Sequence, residues 1–273
     1  MRLVYLGSPE VAVPPLRALV DAGHDVALVV TRADARRRRR GGASPTPVKA
    51  AALELGIPVA HDVDAVLAVG ADLGVVVAFG KIIRPHVLAA VPMVNVHFSL
   101  LPRWRGAAPV ERALLAGDEV TGVCVMRVAE GLDEGEVYAR REVPIGPDQT
   151  AAELRAELVA AGTPLLVELL THPVHEWIDG GEPQTGAVTY ADKLSTTDRE
   201  IDWSASPVEI HRLIRVGGAW TTFRGKRLKV HEAALVDGRL VPTVVQPEGK
   251  PTMSFDAWRN GAHPQPGELP GVG

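Results

Sequence analysis

RLVYLGSPEVAVPPLRALVDAGHDVALVVTR, residues 2–32, is the stretch on which the fold depends. RLVYLG (2–7) is a short apolar run ending in glycine. PEVAVPPLRALVDAG (9–23) places Leu16, Leu19 and Val20 at helical spacing, with Gly23 as a stop. DVALVVTR (25–32) reads as the next strand. Strand, helix, strand at this spacing predicts a parallel sheet wound on both faces by helices.

The rhythm continues outward from there. VKAAALELG (48–56) reads as a helix, IPVA as a short strand and RPHVLAAV as a short helix. ADLGVVVAFG (71–80) is apolar almost throughout, as a parallel strand buried on both faces must be. MVNVHF (93–98) is the next strand, and APVERALLAGD (108–118) a helix. TGVCVMRV (121–128) and EVYARREVPI (136–145) are strands on either side of the loop AEGLDEG (129–135). TAAELRAELVAAGTPLLVELLT (150–171) predicts one long helix, with Thr150 as its N-cap and Glu153 three residues on. After about residue 180 the pattern changes. GEPQTGAVTYADKLS is extended and linker-like, and SPVEIHRLIRV (206–216) is a helix. AWTTFRGKRLKVHEAALVDGRLVP reads as short antiparallel strands turning at RGK and DGR. The expected organisation is an α/β, doubly wound, mostly parallel Rossmann-like domain over 1–185 and a linker over 186–204. A small β-rich domain follows over 205–262, then a loosely ordered tail over 263–273.

Composition narrows the function. The chain has 273 residues, 46% hydrophobic and 23% charged, which is ordinary globular usage. A net charge of −4 argues against a protein that is basic all over, but ADARRRRRGGASPTP concentrates five arginines, Arg36–Arg40, in one loop. Like charges there repel unless an anion meets them. An RNA backbone is the natural partner, with Lys49, Arg103 and Arg105 extending the patch; a solvated basic loop is the plain alternative. The single cysteine, Cys124, can form neither an internal disulfide nor a Cys-rich metal site, which fits a reducing cytoplasm. No secretory leader is expected from MRLVYLG, and no apolar run approaches the ~18 residues that span a bilayer. YLGSPE opens like a nucleotide-binding unit, but G-x-G-x-x-G is absent, as are a P-loop, a Cys/His metal cluster and a G-x-S-x-G elbow.

The unusual feature is Asn95 and His97 inside a strand. Alternation puts both on one face, near the carboxyl end where open α/β sheets bind ligands. An Asn N–H can stabilise an oxyanion and a His can donate or accept a proton near neutral pH. Asp133, in a glycine-flanked loop between two strands, can reach the same sheet end and orient His97. Taken alone, the pair reads first as a satisfied, half-buried polar pair at a strand end, and Asp133 as a common turn residue.

NVHFSLLPRWRGAAPVERALLAGD followed by TGVCVMRVAEGLDEGEV resembles the signature of the 10-formyltetrahydrofolate-dependent formyltransferase family, in its methionyl-tRNA branch. YLGSPEVAVPPLRAL, the basic loop, VTYADKLSTTDREIDWSASPVEIHRLIRV and VVQPEGKPTMSFDAWRNG resemble other parts of the same family, so the likeness covers nearly the whole chain. It implies formyl transfer from 10-formyltetrahydrofolate to the α-amine of initiator methionyl-tRNA, without a metal. Asn95 and His97 would stabilise the tetrahedral oxyanion, and Asp133 would assist proton transfer. By the same likeness the folate site takes in Val77, Ala78, Phe79, Gly80, Ser99, Leu100, Leu101, Pro102, Glu130, Gly131 and Leu132. The tRNA site takes in Arg36, Arg37, Arg38, Arg39, Arg40 and Lys49. It also implies an OB-like, barrel-like C-terminal domain. Two departures stand out. Phe98 stands where many members carry Gly, and the chain between KVHEAALVDGRL and VVQPEGKP lacks the strands a five-stranded barrel needs, so the barrel is truncated. Other acceptors share the chemistry: a nucleotide-linked amino sugar, glycinamide ribonucleotide, another small amine, or water. A non-catalytic folate- or RNA-binding protein is the reading of another class. A monomer is expected.

Overall fold

Strand β1, Arg2–Gly7, is buried at every residue after Arg2. Helix α1, Val13–Asp21, carries Pro14 and Pro15 in its first turn, where missing backbone N–H groups cost nothing, and buries Pro15, Leu16 and Leu19. These elements belong to a computed structural model that describes residues 1–36, 43–265 and 268. In chain order β2, Asp25–Val30, follows, then the two-residue strands β3, Ala35–Arg36, and β4, Ala43–Ser44. Helix α2, Pro47–Glu54, starts at Thr46, whose Oγ1 accepts from the Lys49 N–H at 3.1 Å. Next come β5, Val59–Ala60; β6, Leu73–Val77; α3, Pro85–Ala90; β7, Met93–His97; and β8, Arg105–Gly106. They lead into α4, Pro109–Ala116; β9, Val120–Arg127; β10, Val137–Pro144; α5, Ala151–Leu169; α6, Val174–Trp177; and β11, Tyr190–Ala191.

Seven strands form one sheet in the order β10-β9-β7-β6-β1-β2-β5. The run from β7 to β5 is parallel, and β9 and β10 add antiparallel. The chain leaves β1 for β2 and β5 on one side, then returns to β6 and β7 on the other. That makes the β1/β6 boundary the switch point where such sheets bind ligands. All five residues of β6 are buried, as its apolar sequence predicts. Val4, Leu6, Val30, Val76, Phe79 and Val87 lie in one core cluster. Each fully buried Val or Leu contributes about 1.5–3 kcal/mol. The sheet's middle is therefore given over to packing, and polar chemistry is pushed to the strand ends.

The chain divides into two units. The first takes in Met1–Pro109, Val120–Pro144 and Arg155–Ala191; the second takes in Val110–Glu119, Ile145–Leu154 and the chain from Asp192 on. Residues 186–191, expected as the start of the linker, are built into the first unit: Tyr190 and Ala191 pair in parallel with Arg105 and Gly106. In the second, α7, Pro207–Val216, opens with the full capping box of Ser206 and Glu209. Strands β12, Trp220–Phe223; β13, Lys226–Val236; β14, Arg239–Pro247; and β15, Met253–Ser254, form an antiparallel sheet in sequence order. Its first two turns use Arg224–Gly225 and Asp237–Gly238, all with φ between 46° and 77°, the geometry that matches strand twist. Helix α8, Phe255–Ala262, which the sequence pattern did not predict, starts at Ser254, whose Oγ accepts from the Ala257 N–H. Ile210, Ile214, Leu228, Val245, Phe255 and Trp258 form this unit's core. The sheet has four strands where the family likeness leads one to expect five, in line with the shortened sequence. Most of the tail expected to be loose lies outside the described residues. Glu268, which is described, pairs with Arg224 at 2.6 Å.

Candidate active site

Strand β7 sets the first two groups. Val94 and Val96 take one face by alternation, and Asn95 and His97 the other. In register, Asn95 lies beside Val76 and Met126, and His97 beside Cys124. With apolar residues beside them in the sheet, neither polar side chain has a partner on a neighbouring strand position.

His97, 5% exposed, finds two. Its Nε2 lies 2.9 Å from the carbonyl oxygen of Trp104. A carbonyl has no proton to give, so Nε2 carries the N–H. Nδ1 then faces Asp133, with Oδ2 at 3.6 Å. Asp133 itself sits at φ 50°, in the left-handed region that Asp tolerates better than most residues. That turn aims its Oδ2 at the Gly106 N–H as well, at 2.8 Å. Asn95 is half-buried, and its amide has no hydrogen-bond partner among the described residues. An open N–H donor thus sits on the same strand face as His97, which is what a developing oxyanion needs.

The chain that follows β7 makes this possible. Ser99 Oγ donates to the Arg103 carbonyl at 2.6 Å, turning SLLPRW back so that the Trp104 carbonyl meets His97. The Leu101–Pro102 peptide bond in this turn is cis. Of the residues expected around a folate, Val77 and Phe79 are fully buried, Phe79 within the core, and Leu101 packs with Cys124, Met126 and Val137. Ser99 and Pro102 are also buried, and Leu100 and Gly131 half-buried. Ala78, Gly80, Glu130 and Leu132 are exposed, Leu132 by 60%. Phe98 is buried.

Of the basic group, Lys49 Nζ is bound to Asp34 at 2.7 Å, so its charge is offset within the chain. Arg36 lies in the two-residue strand paired with Ala43 and Ser44, and Arg37–Arg40 lie outside the described residues. Among the described residues no group of three His, Cys, Asp or Glu is placed to hold a metal ion, and no helix is long and apolar enough to cross a membrane.

Sequence reasoning missed three contributors, Trp104 through its carbonyl, Gln184 and Thr189, and placed Arg105 in the basic patch, whereas its guanidinium is largely buried against Gln184. The Trp104 N–H donates to Thr189 Oγ1 at 2.9 Å, and Gln184 donates to the Asp133 carbonyl at 2.8 Å. The first of these contacts spans 85 residues and the second 51, so no local pattern could reveal them.

The formyl transferase family matches residues 1–170, and the formyl transferase C-terminal domain matches residues 193–241. A methionyl-tRNA formyltransferase of Heliobacterium modesticaldum is 44% identical over 248 residues, covering 84% of this chain and 77% of the relative. That of Symbiobacterium thermophilum is 38% identical over 312 residues, covering 98% and 94%. An alignment of that length exceeds the 273 residues here, so the relative carries segments this chain lacks. The solved methionyl-tRNA formyltransferase from Clostridium thermocellum superposes with a TM-score of 0.63 at 14% identity, covering 90% of this chain and 98% of its own; it shows the shared fold.

Proposed function

The chain belongs to the formyl transferase family, and from that premise we propose that it moves a formyl group from 10-formyltetrahydrofolate to the α-amine of methionyl initiator tRNA. The acceptor's neutral amine attacks the formyl carbonyl. Asn95 donates an N–H to the oxyanion that forms, and His97 lies on the same strand face. The Nδ1–Asp133 contact takes up the proton the amine must lose and returns it to the leaving N10 of the folate. The tetrahedral adduct then collapses, breaking the bond between N10 and the formyl carbon. The exposed residues Ala78, Gly80, Glu130 and Leu132 border the donor, and Arg36–Arg40 meet tRNA phosphates.

One observation carries this reading. A buried imidazole with one nitrogen committed to a carbonyl holds its other nitrogen 3.6 Å from a carboxylate, on the strand face that presents an unpartnered amide. The test is transfer of a labelled formyl group from 10-formyltetrahydrofolate to charged initiator tRNA, beside an amino-sugar nucleotide as competing acceptor. Formylation of the tRNA alone is expected. Transfer to the sugar alone, or to neither, sinks the proposal.

A further inference from the structure

Two segments outside the Asn95–His97–Asp133 set hold it, and their contacts close a ring. The side-chain amide of Gln184 gives one N–H to the Asp133 carbonyl and one to the Gly135 carbonyl, each at 2.8 Å. Its oxygen accepts from Arg105 Nε at 3.1 Å and Nη2 at 2.7 Å. An amide has two donor hydrogens and two acceptor lone pairs, so all four are used. The orientation is also fixed, because a flipped amide would set oxygen against two carbonyls and NH₂ against a guanidinium. Arg105 precedes Gly106, whose N–H binds the Asp133 carboxylate. Strand β8 therefore grips Asp133 at both ends, directly at the carboxylate and through Gln184 at the main chain. Thr189 receives the Trp104 N–H, and Trp104 holds His97. Residues 184–189 stand behind both members of the pair without touching either side chain.

We infer that Gln184 is a positioning residue of this site, acting through the Asp133 main chain, with Arg105 fixing its orientation. The inference rests on the catalytic roles proposed above. A non-glycine residue at φ 50° stays there only while its surroundings over-determine it. Without the two Gln184 contacts the loop relaxes, and the carboxylate swings away from Nδ1.

The experiment compares the full-length chain with Gln184→Leu and Gln184→Glu. Expected is a fall in kcat for formyl transfer of up to about 100-fold, as a shift of about 1 Å at a reacting group produces. KM for the formyl donor stays within about threefold. Glu does no better than Leu, because it keeps an acceptor for Arg105 but turns an anion on two carbonyls. Without substrate, the amide-proton NMR signal of Gly106 moves upfield as it loses the Asp133 carboxylate, and the ring-nitrogen signals of His97 change. Should Gln184→Leu fail to fold, Arg105→Lys, which keeps the charge but loses the planar fork, is expected to give the same two spectral changes. A folded Gln184→Leu chain, or Arg105→Lys in its place, with wild-type kcat overturns the inference. So does activity lost only in proportion to the folded fraction, with both signals unmoved. The spectra need no turnover, so a wild-type chain that transfers no formyl group breaks the functional reading alone.

Discussion

Each unit of this chain holds a buried histidine with an aspartate oxygen 3.6 Å away, and the two arrangements differ in everything but that distance. His97 and Asp133 face each other with the carboxyl side chain 17% exposed; His211 faces Asp148 with the carboxyl side chain 82% exposed. Asp133 is fixed by the Gly106 N–H at its carboxylate and by Gln184 at its carbonyl. Asp148 reaches into water from the segment before α5. The difference teaches that proximity of imidazole and carboxylate does not make a proton-transfer pair. In the mechanism proposed above, the carboxylate that takes part is the one shielded from water and held on both sides, on the sheet end that carries Asn95.

The largest effect expected from this contrast is on turnover. Asp133→Asn removes the proton acceptor while keeping shape, and should slow formyl transfer by about 10²–10⁴-fold. Asn95→Ala should cost about 10²–10³-fold as a lost oxyanion donor. Asp148→Asn should leave the rate within about twofold, since the proposed mechanism gives this water-exposed carboxylate no role. Single-turnover transfer rates with saturating donor check all three. An equal loss at Asp133 and Asp148 breaks the comparison.

A second contrast sharpens it through glycines. Asp133 and Asp237 share nearly the same backbone, φ 50° and 49°, and each has a glycine nearby, Gly135 and Gly238. A Cβ on Gly135 would lie 2.1 Å from the Arg127 carbonyl oxygen, whereas one on Gly238 would meet nothing within 4 Å. Gly135→Ala must move the main chain that Gln184 holds, so activity should fall at least about tenfold. Gly238→Ala meets only the cost of a left-handed alanine, about 1–2 kcal/mol, seen in thermal unfolding with turnover per folded molecule unchanged.

That same pair of aspartates explains what the sequence could say. DGR between apolar strands announces its turn, because Asp and Gly favour positive φ and the neighbours sit a few residues away. RGK and the Thr150–Glu153 cap were legible for the same reason, that their partners are local, while the run LGVVV was legible from its apolar composition alone, although its partners β1 and β7 are distant in sequence. Asn95 and His97 were legible as a pair because alternation alone puts them on one face. The family likeness, not spacing, linked Asp133 to them. Gln184 and Thr189 were not legible at all, since GEPQTGAVTY carries the signs of a linker and acquires its role only when β11 lies beside β8. Helix α8 was hidden by its polar composition, MSFDAWRNG, in which Phe255 and Trp258 alone are buried.

The smallest effect concerns the second histidine, and it tests whether His211 is structural. Burial pushes the His211 imidazole below its ordinary value of 6.5, and the neighbouring Arg215 lowers it further. Asp148 and a hydrogen bond with Ala233 oppose the shift without cancelling it. The folded state thus binds this proton less tightly than the unfolded chain, so stability rises with pH through the window. The contribution is complete above 6.5 and drains away as pH falls toward the lower folded value. Glu209, on the same helix, behaves in another window. Hydrogen bonds from Ser206 hold its carboxyl below 4.5, so its contribution is lost only as pH drops through that range. Between pH 7.5 and 5.5 the melting temperature of the wild-type chain should therefore fall, and that of His211→Asn should fall less. A His211→Asn chain as acid-sensitive as wild type between pH 7.5 and 5.5 would mean that burial does not hold the His211 imidazole below its ordinary value, and that its place in the second unit costs no proton.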